Sequence, residues 1–118
     1  MKPDEQYAWF VGQVADMEVA WGLYHEKTEG WAMTQMESGQ ELLVLWPDPG
    51  MAKKHASGPW NSYRPESLDI HGFLEYGIDE LKEANRGVSL MYTSEEGGLV
   101  IELADLKRDL RATLEAFG

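Results

Sequence analysis

The segment ELLVLWPDP, from Glu41 to Pro49, constrains the fold more than any other part of the sequence. Its unbroken apolar run, LLVLW, has the length of a strand that is buried on both faces. Pro47 has no amide hydrogen to donate, so strand pairing has to stop there. Asp48 is suited to cap a helix, and Pro49 suits its first turn. The chain is therefore predicted to pass from a central strand directly into a short helix that stops at Gly58.

Two further strand patterns precede this segment. Apolar residues alternate in EVAWGLYHE, from Glu18 to Glu26, and again in WAMTQM, from Trp31 to Met36. The connections KTEG and ESGQ are short, polar and contain glycine, as hairpin loops do. We therefore expect a three-stranded antiparallel meander with ELLVLW as its third strand. On one face of it we expect a packed cluster of Trp21, Trp31 and Trp46.

Amphipathic helices are predicted at the start, the middle and the end of the chain. The first begins at Pro3, the second is capped by Asp69 and ends before Gly87, and the third closes the chain. A hairpin, VSLMYT and LVIEL around SEEGG, lies between the last two helices. The apolar stripes are Tyr7, Phe10, Val11 and Val14; Phe73, Leu74, Ile78 and Leu81; and Leu103, Leu106, Leu110, Leu114 and Phe117.

The element order is thus α-β-β-β-α-α-β-β-α, with a short extra strand near Leu68 as a further option. This order predicts an α+β fold in one compact domain, residues 1–118. A mainly antiparallel sheet of about five strands, the meander plus the C-terminal hairpin, would be packed by about four helices. We expect the helices to cover one face of the sheet.

The ordered landmarks resemble a known family. They are WGLY at Trp21–Tyr24, GWA at Gly30–Ala32, LVLWP at Leu43–Pro47, a tryptophan before tyrosine-x-proline at Trp60–Pro65, L-x-x-x-x-FL at Leu68–Leu74, and the final hairpin with its L-x-x-L helix. Together they are similar to the small bacterial family called domain of unknown function 2750, over nearly the whole chain. The resemblance implies no established activity and no catalytic residues.

Composition limits the classes of partner. The formal net charge is −11, from 21 acidic and 10 basic side chains spread along the chain. Such a field repels phosphate backbones and anionic lipid, which disfavours nucleic-acid and membrane binding, whereas it attracts a basic protein. The sequence has no cysteine, no apolar run long enough to cross a bilayer and no secretory pattern after MKPDEQ. We therefore expect a cytoplasmic protein without disulfides.

Motifs for catalysis or metal binding are not evident. His25, His55 and His71 have no zinc-ligand spacing, and independent histidines are the more common case. The sequence has no G-x-S-x-G elbow, no G-x-G-x-x-G and no phosphate loop with lysine. We expect no cofactor and no metal, and an enzyme is the less favoured hypothesis.

The stretch after the central strand holds the candidate binding residues. Trp60 lies in a proline-rich loop, where it either closes the core or anchors a partner. Basic side chains are densest just before this loop, although they also suit the negative end of a helix. The candidate residues are Trp46, Lys53, His55, Trp60, Tyr63 and Arg64.

Three functional hypotheses remain open at this point. The preferred one is a non-enzymatic module of the cytoplasm that binds a protein at the Trp60 loop, and the acidic field favours a basic partner. The second is a small-ligand binder or enzyme whose polar groups converge only in three dimensions. The third is an immunity-type protein that binds a basic toxin, which rests on small size and acidity alone. The sequence does not decide between a monomer and a homo-oligomer.

Overall fold

The computed structural model describes residues 2–117, without the side chain of Phe117, so the predicted place of that side chain in the apolar stripe lies outside the described residues. The helices are α1 (Pro3–Met17), α2 (Pro49–Lys54), α3 (Ile70–Gly72), α4 (Ile78–Glu83) and α5 (Leu103–Phe117). A 3-10 turn spans Gly58–Trp60, and a π turn at Phe73–Gly77 joins α3 to α4. The strands are β1 (Val19–His25), β2 (Gly30–Trp31), β3 (Met33–Gln35), β4 (Glu41–Leu45), β5 (Arg64–Asp69), β6 (Gly87–Thr93) and β7 (Gly97–Ile101). The prediction of an α+β fold is confirmed.

The strands form two sheets that meet in the middle of the molecule. Their orders are β2-β1-β5 and β3-β4-β6-β7. An antiparallel bridge between Trp21 and Trp46 joins β1 to the end of β4, with N–H···O distances of 2.9 and 2.8 Å. The two sheets therefore act as one surface whose outer strands are β5 and β7.

The predicted meander is only partly correct. The WAMTQM segment is two short strands, because Ala32 donates to the Leu23 carbonyl on one side and accepts from the Val44 amide on the other. The segment thus changes partner from β1 to β4 at Ala32. In addition, β4 and β6 run parallel, since β5 and three helices carry the chain back between them.

Each face of the sheet carries its own apolar core, because successive side chains of a strand point to opposite faces. Leu43 and Leu45 of β4 pack with residues of α1, the α3–α4 segment and α5, and we call this the helix-side core. Val44 and Trp46 pack on the opposite side with Ala52 of α2, and we call this the loop-side core. The prediction that helices cover one face is therefore wrong for α2.

The tryptophans divide between the two cores. Trp21 and Trp46 belong to the loop side, whereas Trp31 packs against the helix-side core. Trp31 lies directly opposite Tyr24, with ring centroids 5.3 Å apart. Its ring fills the space above Gly22, where an added Cβ would be 2.9 Å away. The predicted single cluster of three tryptophans is wrong for this reason.

The predicted helix caps are mostly confirmed. The Asp48 carboxylate accepts from the Met51 amide at 2.8 Å, and the Asp69 carboxylate accepts from the Gly72 amide at 2.8 Å. The end of α4 differs from expectation, because Asn85 has φ 57° and Arg86 donates back to the Leu81 carbonyl at 2.8 Å. Gly87, which was predicted to lie just beyond the end of this helix, is the first residue of β6. Among the described residues no helix combines the length and the apolarity needed to span a membrane.

Candidate functional site

An aromatic cluster lies on the loop side, where β4 turns into α2. Trp46 is wholly buried, so it forms the floor of the site instead of a contact surface. Its indole Nε1 donates to the carbonyl of Tyr92 at 3.1 Å, which ties the end of β4 to β6. His55 caps the C-terminal end of α2 and stacks on Trp46, with centroids 5.5 Å apart and planes at 9°. Pro47 and the Asp48 cap thus bring an imidazole over the buried indole.

Trp60 closes this cluster from above. Its ring stands edge-on to Trp46 at 6.4 Å and to Tyr92 at 5.3 Å. The 3-10 turn at Gly58–Trp60 sets this position, and the side chain stays partly exposed. Trp60 therefore contributes to the loop-side core and also presents surface to solvent, so both roles considered for it from the sequence keep a structural basis.

Tyr92 is the central residue that sequence reasoning did not find. A β-bulge between Leu90 and Thr93 leaves Met91 at φ 60° and packed against the helix-side core. The extra residue turns the following side chain, Tyr92, to the loop side. Little in the sequence indicated this bulge, because VSLMYT has the pattern of a regular strand.

A small cleft lies between the Trp60 loop and the β6–β7 hairpin. Its volume is about 90 Å³, and it is lined by His55, Ser57, Pro59, Trp60, Tyr92 and Ser94. Partial burial, and then the neighbouring Lys54, lower the pKa of the His55 imidazole below its ordinary value. This favours the neutral imidazole, which can both donate and accept one hydrogen bond.

A larger open depression adjoins the cleft along the loop-side face. Its volume is about 500 Å³. Two of the exposed large apolar side chains of the molecule, Met36 at 41% and Val100 at 52%, lie in it. We call this surface the Tyr92 groove. It is lined by Thr34, Gln35, Met36, Glu37, Ser38, Leu42, Ser89, Tyr92, Gly97, Gly98 and Val100.

The floor of the Tyr92 groove depends on a glycine. A Cβ at position 98 would overlap the hydroxyl of Ser89 and would lie 2.9 Å from the Leu90 carbonyl oxygen. Neither α2 nor the Trp60 loop extends over this end of the face, so Val100 remains exposed. The loop-side face is thus half covered and half open.

Tyr63 and Arg64, which were also predicted for the site, lie beside β1. Tyr63 packs against the loop-side core and edge-on to His25, with ring centroids 5.1 Å apart. Arg64 begins β5, pairs with Glu66 at 2.6 Å and with Glu26 at 2.8 Å, and borders a separate depression of about 240 Å³. The hydrogen bonds that Arg64 donates to Glu66 and then to Glu26 raise the pKa of Arg64.

Lys53 is exposed on the last turn of α2, beside the site rather than in the lining of the cleft. The structure therefore brings Trp46, His55 and Trp60 together. Lys53 lies in α2, the helix that His55 caps. Tyr63 also packs against the loop-side core, whereas Arg64 lines the depression beside β1. Within residues 2–117, no three His, Asp or Glu side chains are grouped so that they could hold a metal ion.

The fold and this site define a small α+β domain with an aromatic-walled groove on a partly uncovered sheet face. A family model described as a protein of unknown function, DUF2750, matches residues 7–110. The chain belongs to this family, as its ordered landmarks indicated. A comparison with curated proteins finds no match.

Proposed function

We propose that the chain is a non-enzymatic protein-interaction module that binds a partner protein at the Tyr92 groove. The observation that supports this is the half-open loop-side face, where Val100 and Met36 stand exposed beside Tyr92 and Trp60. Aromatic residues and methionine are enriched at protein interfaces, and partly exposed anchors beside a groove are typical of them. The bacterial cytoplasm as the place of action stays a prediction from the sequence.

The size of the cavities favours a macromolecular partner over a small ligand. Small-molecule sites usually enclose about 300 to 1,000 Å³. The cleft beside His55 holds only about 90 Å³. The Tyr92 groove is larger, at about 500 Å³, but it lies open along the sheet face and would leave a small molecule largely in water.

The charge of the protein favours a basic partner. The net charge is −11, and charge complementarity raises the rate of encounter more than it raises the affinity. An immunity-type role against a basic toxin would be one instance of such binding, and it stays a proposal that rests on acidity.

Site-specific photocrosslinking tests the proposal. A photoreactive amino acid would replace Val100 in the groove, and as a matched control it would replace Tyr76, which is 66% exposed on the π turn. Irradiation in native bacterial cytoplasm is expected to give a discrete adduct from position 100 and none from position 76. The adduct protein, once identified and purified, should bind the wild-type chain directly. Equal adducts from both positions, or none from position 100, would contradict the proposal.

A further inference from the structure

The two outer strands of the sheet are protected to very different degrees. An edge strand presents unpaired backbone groups to any passing strand, and proteins guard such edges with charges and proline. The β5 strand, RPESLD, carries Arg64, Pro65, Glu66 and Asp69. The β7 strand is GGLVI and has neither a charge nor a proline. Of the two outer edges, β7 is therefore the one left open to pairing.

One side of β7 has no strand partner in the described structure. Among the described strands it pairs only with β6. Leu99 and Ile101 pack against the helix-side core, while Gly98 and Val100 face the Tyr92 groove. Gly97 and Gly98 have no side chain to hold a neighbouring backbone away. A strand added beside β7 would thus extend the floor of the groove.

Charges at the two ends of β7 select which strand can add. Glu95 and Glu96 lie in the turn before it, and Glu102 follows it directly, all exposed. Suppose that β7 paired antiparallel with β7 of a second copy, about a twofold axis. All five residues would then pair only if Leu99 lay opposite Leu99 of the other copy. That register places Glu96 opposite Glu102 of the other copy at both ends, and like charges directly opposite each other are destabilising. The ends of β7 therefore oppose self-pairing.

Nearby cations do not cancel this acidic flanking. Arg86 and Lys82 line the same depression as Glu102, but Arg86 is already paired with Glu41 at 3.1 Å. Lys82 thus lines the depression with Glu102 at one end of β7, whereas Glu95 and Glu96 both lie at the other end. A strand with basic residues at its ends would meet complementary charge.

We propose that β7 binds an extended segment of a partner protein by strand addition, and that this segment has an apolar centre flanked by lysine or arginine. The inference rests on the proposed function and adds the class of partner and its mode of binding. Backbone hydrogen bonds along β7 supply affinity, and alternate side chains of the added strand reach the Tyr92 groove. Because both ends of β7 are acidic, a segment with basic ends is favoured whether it runs parallel or antiparallel to β7.

Synthetic peptides test this mode directly. The probe is the capped peptide KVTVTVK, and its matched control is EVTVTVE, each titrated against the full chain. We expect the lysine peptide to bind about tenfold or more tightly than the glutamate peptide at low salt, with the difference shrinking as salt screens the charges. Backbone amides of residues 97–101 should gain protection from hydrogen exchange, and those of residues 64–69 should not.

Charge reversal provides the second measurement. The doubly substituted chain Glu96→Lys with Glu102→Lys should prefer the glutamate peptide, while Glu66→Lys on β5 should leave the preference unchanged. The single change Glu96→Lys would place lysine opposite Glu102 in a twofold pair, so this variant should dimerise in sedimentation experiments while the wild type stays monomeric. Glu96 and Glu102 are exposed and Glu66 is partly exposed, and matching melting temperatures would show that the variants fold.

The outcomes separate this inference from the proposed function. Absence of a peptide preference, or protection outside residues 97–101, would overturn strand addition, even if crosslinking at Val100 succeeds. A wild-type dimer with protected residues 97–101 would show that the occupant is a second copy. Crosslinking at Val100 could fail although the chain clearly prefers the lysine peptide. This result would count against partner binding at the Tyr92 groove but would still support strand addition at β7.

Discussion

The two faces of the sheet are covered by other elements to different extents. On the helix side, α1, the α3–α4 segment and α5 cover the sheet with a large apolar core that includes the fully buried Ile78 and Leu106. On the loop side, the six-residue α2 and a short 3-10 turn cover only the end of the face around Trp46. The comparison indicates that most of the folding free energy comes from the helix side, and that the loop side has room for a partner.

A core truncation on the helix side should have the largest effect. Leu106→Ala removes a side chain that is wholly buried among α1, α5 and the sheet. Such a change typically costs about 2 to 5 kcal/mol in the free energy of unfolding, because it leaves a cavity. Urea denaturation measures this, and a loss below about 1 kcal/mol would show that the helix side does not dominate stability.

Removal of Trp60 should have an intermediate effect. Trp60→Ala loses the edge contacts with Trp46 and Tyr92, but the ring is already partly exposed. We expect a loss of about 1 to 2 kcal/mol, between that of a core residue and that of a surface one. Tyr76→Ala is the matched control and should stay within about 0.5 kcal/mol. A loss as large as that of Leu106→Ala would mean that Trp60 serves the core alone.

The contact between the first and last helices should contribute a smaller amount. The hydroxyl of Tyr7 donates to the carboxylate of Asp109 at 2.6 Å, and this bond lowers the pKa of Asp109. Burial, and then the contact with Asp109, raise the pKa of Tyr7. Tyr7→Phe keeps the packing and removes the bond, so we expect a loss of about 0.5 to 1.5 kcal/mol. No loss in chemical denaturation would show that the bond is not formed in solution.

The smallest effect should be a difference in pH dependence. The folded-state pKa of His55 lies below its unfolded value, so lowering the pH through the unfolded pKa protonates the unfolded chain first and destabilises the fold. His71 is the opposite case, because Glu18 at 2.6 Å raises its pKa. Its contribution is present below the unfolded pKa and is lost as the pH rises through the folded pKa.

The variants His55→Gln and His71→Gln isolate these two contributions. Between pH 7 and pH 5, His55→Gln should lose less stability than the wild type, and His71→Gln should lose more. Thermal unfolding at matched ionic strength measures both differences. A common slope for all three proteins would contradict the environments that the structure assigns to the two imidazoles.

Local features such as helix caps and apolar stripes could be predicted from the sequence, but the pairing of distant strands could not. Pro47, Asp48 and Pro49 predicted the passage from strand to helix, and the apolar spacing predicted the helix-side residues of α1 and α5. The parallel pairing of β4 with β6 depends on where the chain returns, which no local pattern encodes. The change of partner at Ala32 is equally invisible in WAMTQM.

The same division applies to the candidate site: residues close together in the sequence could be predicted, and distant ones could not. Trp46, His55 and Trp60 come from one stretch of sequence, and the helix between them brings them together. Tyr92 and Val100 are distant in sequence and reach the site through a bulge and an edge strand. Arg64 was assigned to the loop, but it begins β5, where pairing with β1 carries it to Glu26.

The affinity of the crosslinked partner for groove variants tests the central claim most directly. Val100→Gln changes an exposed groove residue, and Tyr76→Gln is its counterpart on the helix side. The account predicts that Val100→Gln weakens binding about tenfold or more, equivalent to about 1.4 kcal/mol, with the free energy of unfolding nearly unchanged. Tyr76→Gln should bind like the wild type. Equal affinities for all three proteins would contradict the assignment of the half-open face as the binding surface.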